Sequence, residues 1–302
     1  MYLLNVWLAY QMPVQRVWHG FLKQFLRWIC HKKEGNMHKF SSEVEAIKKV
    51  SKRYSRYIIG NWKVRTKSNH QAMALVDDIV RGFSEKSIPA GTKIVLCPSF
   101  TQLYSVYEKL SSAKQIGDMS VGAQDCSLPK GATGDVPAEL LASVGVEYVL
   151  LGHSERRIIH GEGSAEVKSK TCMAIQTGLI PIVCVGETLI EHNKGQVKEA
   201  LFREITESLP KNFVGLLAYE PIWAVGAVDM ASTEQIKKSL MIIREILQEH
   251  LTSAILPPLL YGGAVMTGLQ AAAVFQTGVD GILIGRASVC AEQVLDIVHG
   301  SA

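Results

Sequence analysis

Three side chains able to move or hold a proton stand at the ends of short apolar runs: Lys63 closes "YIIGNWK", His153 lies in "EYVLLGHS" and Glu220 lies in "FVGLLAYEP". Removing a proton α to a carbonyl needs a carboxylate near the carbon and a donor at the oxygen where negative charge develops. Glu220 has the chemistry of the base and His153 that of the donor. Lys63 brings positive charge to a developing enediolate, and Asn61 can orient Lys63 or a substrate. His153 precedes "SERR", which reads as a helix start, and the positive end of a helix dipole favours the neutral ring as donor. One such residue alone is ordinarily a helix cap or a solvated turn. A lysine, a histidine and a glutamate on one face are harder to dismiss.

The elements that must bring them to one face are legible as spacing. Eight apolar runs recur from residue 57 onward, at 57–63, 93–99, 119–124, 147–154, 180–187, 213–221, 257–263 and 281–286. Helical patterns such as "HQAMALVDDIVRGF", "EVKSKTCMAIQTG" and "TEQIKKSLMIIREILQEHL" lie between them. Apolar strands alternating with helices imply a parallel sheet covered on both faces. Eight such units over residues 57–298 match the length of a (β/α)8 barrel, about 250 residues, whose chemistry sits at the C-terminal ends of its strands. A doubly wound sheet is the alternative, but neither G-x-G-x-x-G nor G-x-x-x-x-G-K-[ST] is present. No linker, repeat beyond the β/α alternation or low-complexity tract interrupts the pattern, so residues 57–302 read as one domain behind an extension, 1–56.

The glycines suggest the ligand. "YGGAV" and "LIGRAS" each put permissive backbone before a helix start on neighbouring strands, where free N–H groups favour an anion. In this fold the loops after strands seven and eight recurrently hold a phosphate. Nothing in this chemistry calls for a metal or an organic cofactor, and no ligand cluster for one is visible.

Charge excludes a nucleic-acid partner. The net charge of +4 comes from the extension, where 11 Lys and Arg face 3 acids, against 21 and 25 in the remainder. The barrel therefore presents no basic face. The six cysteines contain no C-x-x-C pair and read as reduced core thiols of a cytoplasmic protein. The extension has no integral membrane segment. Its first apolar run is too short to span a bilayer, and residues 14–29 repeat apolar side chains at helical spacing beside Arg16, Lys23 and Arg27, a basic amphipathic pattern suited to a membrane surface. An over-extended start, with translation beginning at Met37, explains the same segment equally well.

At the strand ends the chain resembles the triosephosphate isomerase family. "GNWK", "LGHSERR", "CVGETL", "YEPIWAVG" and "YGGAV" stand in that family's order over about residues 57–298. The resemblance implies a TIM barrel that interconverts dihydroxyacetone phosphate and D-glyceraldehyde 3-phosphate through an enediolate, in glycolysis and gluconeogenesis. It implies Glu220 as proton acceptor, His153 as electrophile, and Asn61 and Lys63 as substrate ligands. Ser154 and Glu155 become supporting residues, and Gly226, Ala264, Gly285 and Arg286 become phosphate ligands through their N–H groups. Residues 221–231 become a lid. It also implies a homodimer in which the loop after the third strand, here "CSLPKGATGD" with Thr133 at its tip, enters the partner's site; this loop is shorter than the family's usual one.

Three departures from the family pattern bear on substrate. Ala227 and Val228 stand where the lid has a threonine and a glycine, Ala264 stands for a serine, and Arg286 stands for a glycine. Ala264 keeps an N–H but loses a hydroxyl donor worth about 1 kcal/mol. If position 286 needs a left-handed backbone, arginine there costs about 1 to 2 kcal/mol. These changes lie where the far end of a substrate is held, so an isomerase for a four-carbon ketose phosphate is the nearest rival. A non-catalytic sugar-phosphate-binding barrel is a further alternative, weakened by the presence of Glu220, His153 and Lys63.

Overall fold

The computed structural model describes residues 54–113, 118–128, 131–224 and 230–301. The expectations for the extension, for Met37 and for Gly226, Ala227 and Val228 fall outside them.

Eight strands close into a parallel barrel in chain order: β1 (Arg56–Asn61), β2 (Thr92–Cys97), β3 (Met119–Ala123), β4 (Tyr148–Leu151), β5 (Ile180–Val185), β6 (Leu216–Tyr219), β7 (Leu259–Gly262) and β8 (Gly281–Ile284). Closure is made by β8 pairing with β1, with Tyr57 opposite Gly281 and Gly60 opposite Ile284. The strands are mostly apolar because both faces are covered; the polar exceptions are Arg56, Asn61, Thr92, Lys93 and Ser120. Alternate residues fall into two cores. Ile59, Val95, Leu150, Ile182, Leu216 and Leu260 fill the barrel, while Ile58, Leu96, Leu151, Val183, Leu217 and Ile284 face the helices.

The covering helices obey the longer period. In the helix Asn69–Glu85 the residues Ala72, Leu75, Val76, Ile79 and Phe83 are buried, and Thr233–His250 buries Ile236, Leu240, Ile243 and Leu247 on one stripe. Both begin on a serine whose hydroxyl accepts an N–H from the first turn, Ser68 from Gln71 and Ser232 from Gln235. Such ends place each helix, and hence the loop that precedes it, at a defined height above the sheet.

The strands are shorter than the apolar runs. The run 213–221 contributes only Leu216–Tyr219, and the run 147–154 only Tyr148–Leu151. Asn61 ends β1, whereas Lys63, His153, Glu220 and Gly285 stand beyond the last paired residues, at the rim of the barrel. The apolar character runs on because these turns are still buried after ladder pairing stops. Of the cysteines, Cys97, Cys126 and Cys184 are buried thiols as expected, but Cys172 and Cys290 are only half-buried; these five are free, and Cys30 lies outside the described residues.

Candidate active site

Glu220 follows β6 directly, and its N–H donates to the carbonyl of Val185 at 2.8 Å, prolonging the β5–β6 pairing by one step. Two glycines let its backbone and side chain lie close to their neighbours. A Cβ at Gly186 would meet the carbonyl oxygen of Glu220 at 1.8 Å, and one at Gly262 would meet its Cγ at 2.8 Å. No larger residue fits either position without moving Glu220. The side chain is buried, with Gly262 at its flank and β4 on the other side.

The turn after β4 holds both oxygens of that carboxylate. His153 caps the short helix Ser154–Ile159, its Nδ1 accepting the N–H of Glu155 at 3.1 Å. A ring nitrogen that accepts carries no proton, so the neutral imidazole keeps its hydrogen on Nε2. Nε2 lies 3.2 Å from Oε1 of Glu220, and the N–H of Ser154 donates to Oε2 at 3.2 Å. Beneath them, burial first and the Glu220 carboxylate second push the Cys184 thiol far above its ordinary range, so it stands beside the carboxylate as a neutral group.

Lys63 reaches the rim on an unusual backbone. It is the one described non-glycine residue with positive φ, 52°, a conformation that costs about 1 to 2 kcal/mol. Three contacts hold it there. Its N–H donates to Asn61 Oδ1 at 3.1 Å, its carbonyl accepts from Gln124 Nε2 at 2.8 Å, and its ammonium donates to Glu155 Oε1 at 2.6 Å. Partial burial works against ionisation of Glu155, but the hydrogen bond and charge of Lys63 outweigh it and hold the carboxyl below its ordinary range.

A pocket opens in front of these groups. Asn61, Lys63, His153 and Glu220 form one wall, and the backbone turns Gly262–Met266 and Leu283–Arg286 form the other. Arg286 opens a 3-10 helix, Arg286–Val289, without a left-handed backbone, and Gly285 takes the cap position with φ −100° and ψ −87°. The strain foreseen for an arginine at 286 is therefore absent. Ala264 is buried in the same wall.

The predicted residues thus divide. Asn61, Lys63, His153, Glu220, Ala264, Gly285 and Arg286 line the pocket; Ser154 and Glu155 act from behind, gripping Glu220 and Lys63; Gly226 is outside the described residues. Arg65 also lines the pocket and was not foreseen, because an exposed arginine after a turn carries no pattern of its own. Gly186, Gln124 and Cys184 were likewise missed as supports. Only Gly186 left a signal, in the glycine of "CVGETL". Among the described residues no group of three or more His, Cys, Asp or Glu side chains is arranged to hold a metal ion.

Comparison with known proteins agrees with this geometry. A family model described as Triosephosphate isomerase matches residues 56–301. Triosephosphate isomerase of Gluconacetobacter diazotrophicus is 40% identical over 248 residues, covering 81% of this chain and 97% of the relative. The proteins of that name from Ruegeria sp. and Xanthobacter flavus are 37% and 36% identical, each covering 80% of this chain and 96% of their own length. With a closed eight-stranded barrel, the rim constellation and a match along nearly all of the described residues, the chain belongs to the triosephosphate isomerase family.

Proposed function

We propose that this chain interconverts dihydroxyacetone phosphate and D-glyceraldehyde 3-phosphate by proton transfer through an enediolate. Glu220 takes the proton from one carbon and returns it to the next, while the Nε2 hydrogen of His153 is donated to the oxygen on which charge develops. The assignment follows the family's established pairing of a glutamate base with a neutral histidine. The observation that carries it is the pair of contacts on Glu220: Nε2 of His153 at 3.2 Å and the N–H of Ser154 at 3.2 Å, one on each oxygen, beside an open pocket. A bound substrate would take the Nε2 hydrogen from Glu220 and free the carboxylate to act as base.

Lys63 and Asn61 bind the substrate's oxygens in this reading, and Glu155 holds Lys63 on its strained backbone. The phosphate lies against the N–H groups of the turns at Ala264 and Gly285, with Arg286 alongside. No observation favours a four-carbon ketose phosphate. A coupled assay comparing kcat/KM on triose and tetrulose phosphates tests this, and a preference for the tetrulose would overturn it.

The active form in this reading is a homodimer, with the Thr133 loop reaching the partner's site. Thr133 stands on an exposed turn after β3. Large apolar side chains are exposed on the segments that follow the neighbouring strands: Val64 after β1, Phe100 and Tyr104 after β2, and Ile158 and Ile159 after β4. Exposed apolar side chains beside the Thr133 loop are what an interface between copies could cover, although others, such as Leu189, Ile190 and Leu269, are exposed elsewhere. Sedimentation equilibrium tests it, and a monomer at micromolar concentration with full activity would contradict it. The reading assigns the reaction to glycolysis and gluconeogenesis in the cytoplasm; among the described residues no helix is long and apolar enough to cross a membrane.

A further inference from the structure

Close to Glu220 lies a second carboxylate to which the proposed chemistry gives no task. Glu187 is 0% exposed. Its Oε1 accepts from the hydroxyl of Tyr219 at 3.1 Å and from the indole N–H of Trp223 at 2.8 Å, and its carbonyl accepts the N–H of Ile222 at 3.1 Å. Tyr219 precedes Glu220 and Trp223 closes the turn after it. One residue therefore grips the turn 219–223, which carries the proposed base, at three points. The hydroxyl of Ser239 fixes the Tyr219 oxygen in turn, at 3.0 Å.

Oε2 of Glu187 is buried with no hydrogen-bond partner among the described residues. A carboxylate taken out of water with half its acceptor capacity unmet is held in place weakly unless a further group compensates it. Beside it stands His192, in the helix Leu189–Asn193. Its buried Nδ1 lies 3.4 Å from Oε1 of Glu187 without making a hydrogen bond. Its ring packs against the indole of Trp223, with centroids 4.5 Å apart and planes at 42°. His192 thus touches both the carboxylate and the ring that the carboxylate holds.

We propose that His192 is a positioning residue for the reaction: its ring braces Trp223 and its Nδ1 steadies Glu187, so that the turn 219–223 keeps Glu220 aimed into the pocket. The proposal rests on the reading of Glu220 as the base. Since the pocket's other wall is built from the turns after β7 and β8, losing His192 acts on kcat and leaves KM alone. Misaiming a reacting carboxylate is a kinetic fault out of proportion to any loss of stability.

The test compares His192→Phe, which keeps a ring against Trp223 but has no nitrogen, with His192→Asn, which keeps a polar atom near the position of Nδ1. His192→Phe is expected to lower kcat about tenfold at unchanged KM and to move the Trp223 indole N–H resonance, identified by its loss in Trp223→Phe. His192→Asn is expected to recover most of both. A kcat for His192→Phe within about twofold of the parent, or a change carried by KM instead, overturns the proposal. If His192→Phe does not fold, His192→Ala measured against His192→Asn decides by the same criteria. Glu220→Gln run alongside separates the two readings. Full activity in that variant removes the base assignment itself, whereas an inactive Glu220→Gln beside a normal His192→Phe removes only the role of His192.

Discussion

Two groups of buried charges meet around the helix Ser154–Ile159, and they are built to opposite ends. In one, Lys170 is enclosed. Its ammonium donates to Asp125 at 3.0 and 3.2 Å and to Glu162, lies 3.6 Å from Glu166, and Arg156 adds a second cation 2.9 Å from Asp125. Burial alone would strip its proton, but the charges of Asp125 and Glu162 outweigh burial and hold the amine above its ordinary range. In the other group Glu220 accepts the Ser154 N–H on Oε2, has Nε2 of His153 3.2 Å from Oε1, and faces a pocket. A charge surrounded by counter-charges is fixed and inert, whereas a charge held on one side only is available to a substrate. The residue types do not tell these apart; the packing does.

The comparison breaks most sharply by removing one charge from each group. Glu220→Gln keeps the shape and an oxygen for the Ser154 N–H, so we expect kcat to fall by about 10² to 10⁴-fold with the thermal midpoint nearly unchanged. Lys170→Met should do the reverse. It leaves Glu162 without its cation and Asp125 with Arg156 alone, lowering stability by about 3 to 5 kcal/mol in urea melts, while activity per folded molecule stays the same. If Lys170→Met lost activity at full stability, the division between an inert and a working cluster would fail.

Smaller changes sharpen it. Gly262→Ala drives a methyl toward Cγ of Glu220, at a distance of 2.8 Å if nothing moves. A destabilisation of about 1 to 3 kcal/mol is expected together with a loss of kcat, because the group that must yield is the reacting one. Ala264→Ser adds a donor to the phosphate wall, worth about 1 kcal/mol, read as a lower KM for phosphorylated substrate with kcat unchanged. A rise in KM would mean that the hydroxyl has no room there.

A third kind of buried group, neutral rather than paired, should announce itself by pH alone. His250 is buried with Nε2 3.1 Å from the carbonyl of Leu209, and burial, opposed by that carbonyl, holds its pKa below the ordinary value. A group whose folded pKa is depressed contributes stability above its unfolded value, about 6.5, and that contribution is lost as pH falls through the folded value. The thermal midpoint should therefore drop on acidification from about pH 7.5 to pH 5, and His250→Gln should flatten part of that slope. The Lys170 cluster should show no lysine titration in this window, since Lys170 is held above its ordinary range.

Much of the fold was readable without coordinates, for a physical reason. Strands covered on both faces are apolar at most positions, so eight of them stand out as runs, and the helices between them keep a separable period. Element ends were less readable, since burial continues past the last ladder bond: "FVGLLAYEP" overstates Leu216–Tyr219 by two residues at its C-terminal end. The side chains proposed to react were also readable, because a polar residue at the close of an apolar run is conspicuous. Of their supports, Ser154 and Glu155 came only through the family resemblance; Gln124 and Cys184, like the pocket-lining Arg65, look like any amide, core thiol or surface cation until the chain closes on itself. The conditional cost at Arg286 does not arise, since its backbone is not left-handed; among the described non-glycine residues only Lys63 is.

What the sequence determined alone is the set of periods and residue types: eight apolar runs, the stripes that cover them, and a carboxylate, an imidazole and an ammonium at the run ends. What only the tertiary structure decided is how consecutive residues are shared among different neighbours. In "HSERR", His153 and Ser154 take Glu220, Glu155 takes Lys63, Arg156 takes Asp125, and Arg157 donates to the carbonyls of Gly152 and Cys184. Five adjacent residues, four through side chains and Ser154 through its backbone N–H, reach out from a helix start in different directions, and partners up to 92 residues apart in sequence meet them only because the barrel closes. Direction and partner are properties of that closure, and no local pattern encodes them.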